Sequence, residues 1–216
     1  MKKQLALALL LLCTATAFAQ QVKLNGYASY VFDDNIHSYY NDTHYFDGTI
    51  KGGLLWGAGL EVGVAHNQAL ELSYLRQSTT APFYYYDQRE QVVDFGFASN
   101  FILLGGTQYF GKPSGQFNGF LGWMAGVDIV DVSNPNGNYS NTSTKFAWGF
   151  KGGGDYWLSD AVALKIQVQF LSVTQAVGGA YYYGPPGYYS GVTTVASMLQ
   201  FGIGGGLVYR FNSGKR

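Results

Sequence analysis

Three histidines, one cysteine and a scatter of carboxylates are the residues that could carry chemistry in this chain of 216 residues. His37 and His44 share a polar stretch with Asp34, Asp42 and Asp47. Imidazole and carboxylate together suit zinc or copper, and His37 beside Ser38 offers a base next to a hydroxyl. No third group is placed to orient that base, and histidines in polar connections are ordinarily just solvated. Neither a metal site nor a catalytic residue is assigned. His66 lies in a short turn with no evident partner. Gly57, Gly59 and Gly63 miss the G-x-G-x-x-G phosphate loop by one residue, and no helical pattern follows them. No cofactor is expected.

The other charges stand at alternate positions of apolar segments. Glu61, Glu71, Asp94, Asp128 and Asp155 read as one polar face, together with Lys23, Lys151, Lys165 and Arg210. An ion or proton path is one role for them. A filled interior of paired charges is the other, and it is favoured, because unpaired charges in a narrow space are costly.

Tyrosine is the most unusual feature, at 18 residues. Clusters occur at Tyr39-Tyr40, Tyr45-Phe46, Phe83 to Tyr86, Tyr181 to Tyr183 and Tyr188-Tyr189. Tyr offers large contact area at low entropy cost, with a hydroxyl to bond. Tyr39, Tyr40, Tyr84, Tyr85, Tyr86, Tyr182, Tyr183, Tyr188 and Tyr189 are therefore candidate ligand-binding residues. Self-packing in a sheet that rises above a membrane is an equal alternative, since aromatic patches mark contact sites without proving them.

The elements that must position these residues are strands. Leu54, Trp56, Ala58, Leu60, Val62 and Val64 alternate with Leu55, Gly57, Gly59, Glu61 and Gly63. That is a strand with one greasy and one small or polar face. The pattern recurs from Leu24 to Phe32, Leu70 to Tyr74, Leu121 to Ile129, Phe146 to Leu158, Val162 to Phe170 and Phe201 to Phe211. One more segment reads with Val93, Phe95, Phe97, Phe101 and Leu103 outward, and Asp94, Gly96, Ala98 and Asn100 inward. Short connections at 65–68, 111–115 and 159–161 alternate with long ones at about 34–49, 78–91, 131–144 and 174–192. Short turns at one end and long loops at the other mark an outer-membrane barrel. The fold class expected is all-β, an eight-stranded antiparallel up-and-down transmembrane β-barrel. Aromatics should form two girdles at the interfaces: Tyr30, Phe32, Trp56, Tyr74, Phe146 and Trp148 at the outer rim, and Tyr109, Phe117, Tyr156, Tyr209 and Phe211 at the inner.

Composition agrees. Hydrophobic residues make up 47% and charged residues only 12%, too few to cover a water-facing surface around strands this greasy. Lys2-Lys3, the apolar run Leu5 to Leu12 and Ala17-Phe18-Ala19 read as a secretory signal cleaved after Ala19. The apolar run is shorter than the ~20 residues of a spanning helix. Cys13 leaves with the signal, so no disulfide, thiolate metal site or cysteine nucleophile remains. Removing Lys2 and Lys3 leaves 11 basic against 13 acidic residues. No basic field is left to attract nucleic acid. The expected organisation is a signal peptide at 1–19, a barrel at 20–211 and a short tail at 212–216.

The segments Gly105-Gly106-Thr107-Gln108-Tyr109-Phe110, Lys112-Pro113, Phe120-Leu121-Gly122, Gly152 to Ser159 and Gly204 to Phe211 carry a further likeness. With them the chain resembles the small outer-membrane β-barrel family that includes OmpX, the Opa adhesins and the membrane domain of OmpA. The resemblance implies outer-membrane lipid and the barrel-insertion machinery as partners, with Phe211 as the terminal aromatic which that machinery reads. Asn212 to Arg216 trail after it, a departure from the family's usual ending. Members differ in their loops, so the family sets the scaffold and not the ligand. Some relatives modify lipid A with His and Ser at the membrane rim, and His37-Ser38 is the nearest analogue here. The reading is a non-enzymatic outer-membrane protein, located by export in the outer membrane, with loops for surface binding or a structural envelope role. The alternatives are a narrow channel and a lipid-modifying enzyme.

Overall fold

Alternation becomes pairing in the computed structural model, which describes residues 21–41, 44–87, 89–111, 115–133, 140–174, 181–182, 191–192 and 198–211. For 35–48, 83–95, 140–141, 181–182 and 191–192 the backbone alone is described. The signal segment 1–19 and the tail 212–216 lie outside the described residues. In chain order the strands are β1 Val22–Val31, β2 Asp34–Asn41, β3 His44–Ile50, β4 Gly53–Ala65, β5 Gln68–Asp87 and β6 Arg89–Phe110. Then come β7 Phe117–Ser133, β8 Ser140–Trp157, β9 Val162–Thr174, β10 Tyr181–Tyr182, β11 Gly191–Val192 and β12 Met198–Arg210.

Eight of these close a ring, in the order β5-β4-β1-β12-β9-β8-β7-β6 and back to β5, with every pairing antiparallel. The seam joins β1 to β12, from Lys23↔Arg210 to Val31↔Gly202. Closure satisfies the backbone of every stave within the sheet, the condition for crossing lipid. The short turns sit at one end. At His66-Asn67, Asn67 takes a left-handed φ of 59°, which its short polar side chain tolerates.

The outer surface is a belt of Leu, Ile and Val with Trp123 and Phe150, all exposed. Exposed Tyr30, Phe32, Trp56, Tyr74, Phe146 and Phe201 ring the tall end. Exposed Phe110, Phe117, Tyr156, Tyr209 and Phe211 ring the short-turn end. Ring pairs line both girdles: Phe32 stacks on Phe201 across the β1–β12 seam at 5.8 Å, and Tyr209 meets Phe211 edge-on along the last strand at 5.1 Å.

β6 differs from the sequence reading. Phe97, Phe101 and Leu103 point inward and are buried, while Ile102 and Leu104 face outward. From Phe97 to Phe110 the facing is inverted, Tyr109 included: its hydroxyl reaches Glu61 in the lumen and Phe110 takes its place in the girdle. Register with both neighbours decides this. Gly105 lies opposite Glu71 of β5 and Met124 of β7, both lumenal. Three long connections also differ. Among the described residues of 34–49, 78–91 and 131–144 strand pairing runs on to Asn41↔His44, Asp87↔Arg89 and Ser133↔Ser140, so the sheet continues above the belt where loops were expected.

Candidate functional site

The lumen has two storeys. Near the short turns, strand alternation places Lys23, Asn25 and Tyr27 of β1 inside, and register sets Lys23 opposite Glu61 and Glu61 opposite Glu71. Two carboxylates face to face repel. The structure resolves this with donors. Lys23 Nζ lies 2.8 Å from Glu61 Oε1, and the Tyr109 hydroxyl donates to Glu61 Oε2 at 2.7 Å. Asn25 Nδ2 donates to both acids, at 3.3 Å to Glu61 and 2.9 Å to Glu71. Glu71 also accepts from the Tyr27 hydroxyl and from Lys151 Nζ. Gly59 makes room for this, since a Cβ there would collide with the Glu71 carboxylate.

Beside this group Asp155 and Lys165 sit opposite each other in register, with Nζ to Oδ1 at 2.8 Å. Lysine and arginine heads rest on lumenal rings: Lys23 on Tyr109 at 3.9 Å, Lys165 on Phe120 at 4.0 Å and Arg210 on Trp157 at 3.7 Å. Such contacts stabilise desolvated cations.

Asp128 is buried higher up, accepting from Ser99 Oγ at 3.0 Å, with Lys145 opposite it on β8. Asp94 lies opposite Pro82, on the alternation of Ile102 and Leu104, and its side chain is outside the description. The described members of the sequence-predicted charges thus fall in four places, Arg210 over Trp157 being one. Glu61, Glu71, Lys23 and Lys151 are joined; Asp155 and Lys165 form a separate pair; Asp128 stands apart from both.

Above this level an apolar cluster shares the lumen with buried Ser29, Gln77, Ser99, Asp128 and Gln200. Val31, Leu55, Leu75, Phe101, Leu171 and Val173 belong to one buried cluster. Gln200 Nε2 bridges the strands to Gln77 Oε1 at 2.6 Å just under the tall end. Sequence reasoning missed this storey, because it treated Phe97, Phe101 and Leu103 as lipid-facing. Ser99 and Thr107, polar at positions of the same parity, were the available signal.

Over the belt stands a wall. β5 and β6 pair out to Asp87↔Arg89, and β7 and β8 to Ser133↔Ser140. The β2–β3 hairpin pairs Tyr39 with Tyr45, and β3 joins upper β5 through Phe46↔Tyr85, Asp47↔Tyr84 and Gly48↔Phe83. Tyr39, Tyr40, Tyr84, Tyr85 and Tyr86 therefore share one sheet with Tyr45, three tyrosine clusters brought together from separate stretches of chain. Tyr182 lies in β10, opposite Gly191 of β11. Tyr183, Tyr188 and Tyr189 lie outside the described residues. His37 pairs with Asp47 and Ser38 with Phe46, so the two consecutive residues fall on opposite faces of β2.

At the foot of the hairpin Asp33 Oδ1 accepts the Gly52 N–H at 2.7 Å, and Lys51 Nζ approaches Oδ2 at 3.2 Å. These donors hold its carboxyl below the ordinary carboxylate value, the Gly52 bond contributing most. Asp34 Oδ2 accepts the Leu199 N–H at 2.9 Å, yet burial pushes its carboxyl up.

A closed antiparallel ring with a filled lumen and an apolar outer wall defines a membrane-spanning β-barrel. Among solved structures the chain is similar to the outer membrane protein OprG of Pseudomonas aeruginosa, with TM-score 0.59 and 14% identity over 90% of this chain and 97% of that one. It is likewise similar to Neisserial surface protein A, with TM-score 0.51 and 14% identity over 88% and 95%. No protein-family model and no curated protein matches. The chain has the fold of the small eight-stranded outer-membrane barrels.

Proposed function

We propose that this is a non-enzymatic outer-membrane protein that uses its tall wall as a surface for binding, with the lumen serving as a packed core. Export by the signal ending at Ala19, and insertion by machinery that reads Phe211, belong to the same reading. One observation carries it: the outer hairpins continue as paired strands well beyond the lipid belt. From Arg76, level with Trp56 of the outer girdle, β5 runs on to Asp87. At ~3.4 Å per residue and ~40° tilt this raises its tip by about 28 Å. A paired sheet presents side chains at fixed spacing, and this one gathers Tyr39, Tyr40, Tyr84, Tyr85 and Tyr86.

The lumen supports the same conclusion. Buried ion pairs below and an apolar cluster above occupy the space a solute would need.

The test uses cells displaying the parent protein, a variant with Tyr39, Tyr40, Tyr84, Tyr85 and Tyr86 changed to Ser, and a variant with shortened outer hairpins. Each is screened on a glycan array and on purified extracellular-matrix proteins. The expected result is adhesion by the parent that both variants lose while their barrels stay folded. Adhesion that survives both changes, or a parent that adheres to nothing, would leave the envelope role and remove the binding one.

A further inference from the structure

We propose that Asp33 and Asp34 are positioning residues: a two-sided clamp that fixes the direction of the β2–β3 hairpin and so assembles the tyrosine-bearing sheet. Its functional meaning rests on the wall being the binding surface; its geometry stands by itself.

β1 leaves the barrel at Val31, and only Phe32 and Asp33 carry the chain into β2. The return limb into β4 is equally short, Lys51 and Gly52. Such brief links leave a hairpin free to swing unless its foot is tied. Here it is tied on both sides. Asp33 reaches the return limb, taking the Gly52 N–H at 2.7 Å and the Lys51 ammonium at 3.2 Å. Asp34 reaches the other neighbour, taking the Leu199 N–H of β12 at 2.9 Å.

Consecutive carboxylates thus grip opposite flanks. The limb they hold is itself anchored: Lys51 N–H donates to Thr80 O at 3.0 Å, and Thr79 Oγ1 donates to Lys51 O at 2.8 Å. Phe32 N–H donates to Phe201 O at 2.9 Å on the β12 side. Gly52 has to be glycine for the closure, because a Cβ would strike the Val31 carbonyl oxygen.

The clamp has a defined output. It aims the hairpin at upper β5, where β3 makes three residue pairs, Phe46↔Tyr85, Asp47↔Tyr84 and Gly48↔Phe83. A ladder that short and an isolated two-stranded hairpin are each marginal in water. Tying the foot removes most of the orientational freedom that those three pairs would otherwise have to overcome. Tyr39 and Tyr45 then share a sheet with Tyr84 and Tyr85.

The experiment places spin labels at Asn41→Cys and Ser133→Cys in the full barrel in lipid nanodiscs and measures their distance distribution. Amide exchange at Leu199 and Gly52 is followed in parallel. The parent should give one narrow distribution. Asp33→Ala with Asp34→Ala should broaden it, and exchange at both amides should rise at least about tenfold, as expected for loss of a hydrogen bond to a charged acceptor. Asp34→Asn keeps an acceptor oxygen and should hold the distribution narrow and Leu199 protected. A general structural defect would show instead as lost resistance to SDS in unheated samples, and the clamp lies above the belt that gives that resistance. A distribution that stays narrow in the double Ala variant overturns the proposal. So does a Asp34→Asn variant that behaves like Asp34→Ala. Should the labels respond as described while the parent binds no surface, the clamp stands and the binding reading falls.

Discussion

Replacing Lys151 by Met isolates the energetics of the lower lumen. Glu71 is 2% exposed, and its carboxylate faces three donors: the Lys151 ammonium, the Tyr27 hydroxyl and the Asn25 amide. Met keeps most of the lysine stem but removes the charge. Two neutral donors then remain for a full negative charge, with the Glu61 carboxylate opposite in register. Breaking a buried pair this way costs about 3–5 kcal/mol, because the surviving ion is left uncompensated in a poor dielectric. Adding Glu71→Gln should recover most of that loss. Gln still offers an acceptor to Tyr27 and Asn25 and carries no charge, leaving a deficit of about 1 kcal/mol for weaker hydrogen bonds. Urea unfolding in lipid micelles, followed by tryptophan fluorescence and by gel mobility, measures both variants. A single variant within about 0.5 kcal/mol of the parent, the range of ordinary surface changes, would refute the reasoning. So would a double variant less stable than the single one.

Gly59→Ala should act on the same carboxylate from the other side, pushing Glu71 off its partners, with a loss of about 1–3 kcal/mol typical of overpacking in the same unfolding assay. Planar-bilayer recordings of the purified protein should show no large, steady pore; conductance of porin size would mean an open lumen and would favour the channel reading. At the hairpin foot the Asp33 carboxyl is depressed in the folded state, so its contribution is present above the unfolded value. It is lost as pH falls through the lower folded one. Protection of the Gly52 amide, relative to its intrinsic exchange rate, should therefore fall as pH drops below about 4, the ordinary Asp range, and Asp33→Asn should flatten that profile. Intact mass of protein extracted from membranes should correspond to a chain starting at Gln20; a mass retaining Met1 to Ala19 would contradict cleaved export.

Most of the barrel was legible because lipid and lumen impose opposite demands on successive residues. Leu164, Lys165, Ile166, Gln167, Val168 and Gln169 of β9 spell that demand out one by one. The run Phe101-Ile102-Leu103-Leu104 of β6 carries no such period, because here the lumen-facing Phe101 and Leu103 are as apolar as the lipid-facing Ile102 and Leu104. A face cannot be read from a strand that is apolar on both sides; only pairing with β5 and β7 fixes it. The wall was illegible for the opposite reason. Above the belt neither face meets lipid, so alternation stops being required, and Thr79-Thr80-Ala81-Pro82-Phe83 looks like a loop. Its strand character resides in the pairing partner. The residues of the ionic cluster could be named from the sequence, but their grouping could not. That Glu61 meets Lys23 while Glu71 meets Lys151 depends on registers between strands far apart in the chain.

The seam between β1 and β12 has a consequence for biosynthesis. The first stave and the last stand almost a whole chain apart, so the contact that completes the cylinder is also the one of greatest sequence separation. Pairings of that kind form slowly. A ribosome that stops between β9 and β12 yields a sheet with two raw flanks, β1 and β9, whose peptide groups no hydrocarbon can satisfy. Truncation therefore does not produce a smaller working protein. It produces an open sheet, so the closing strand decides whether the barrel can cross lipid at all.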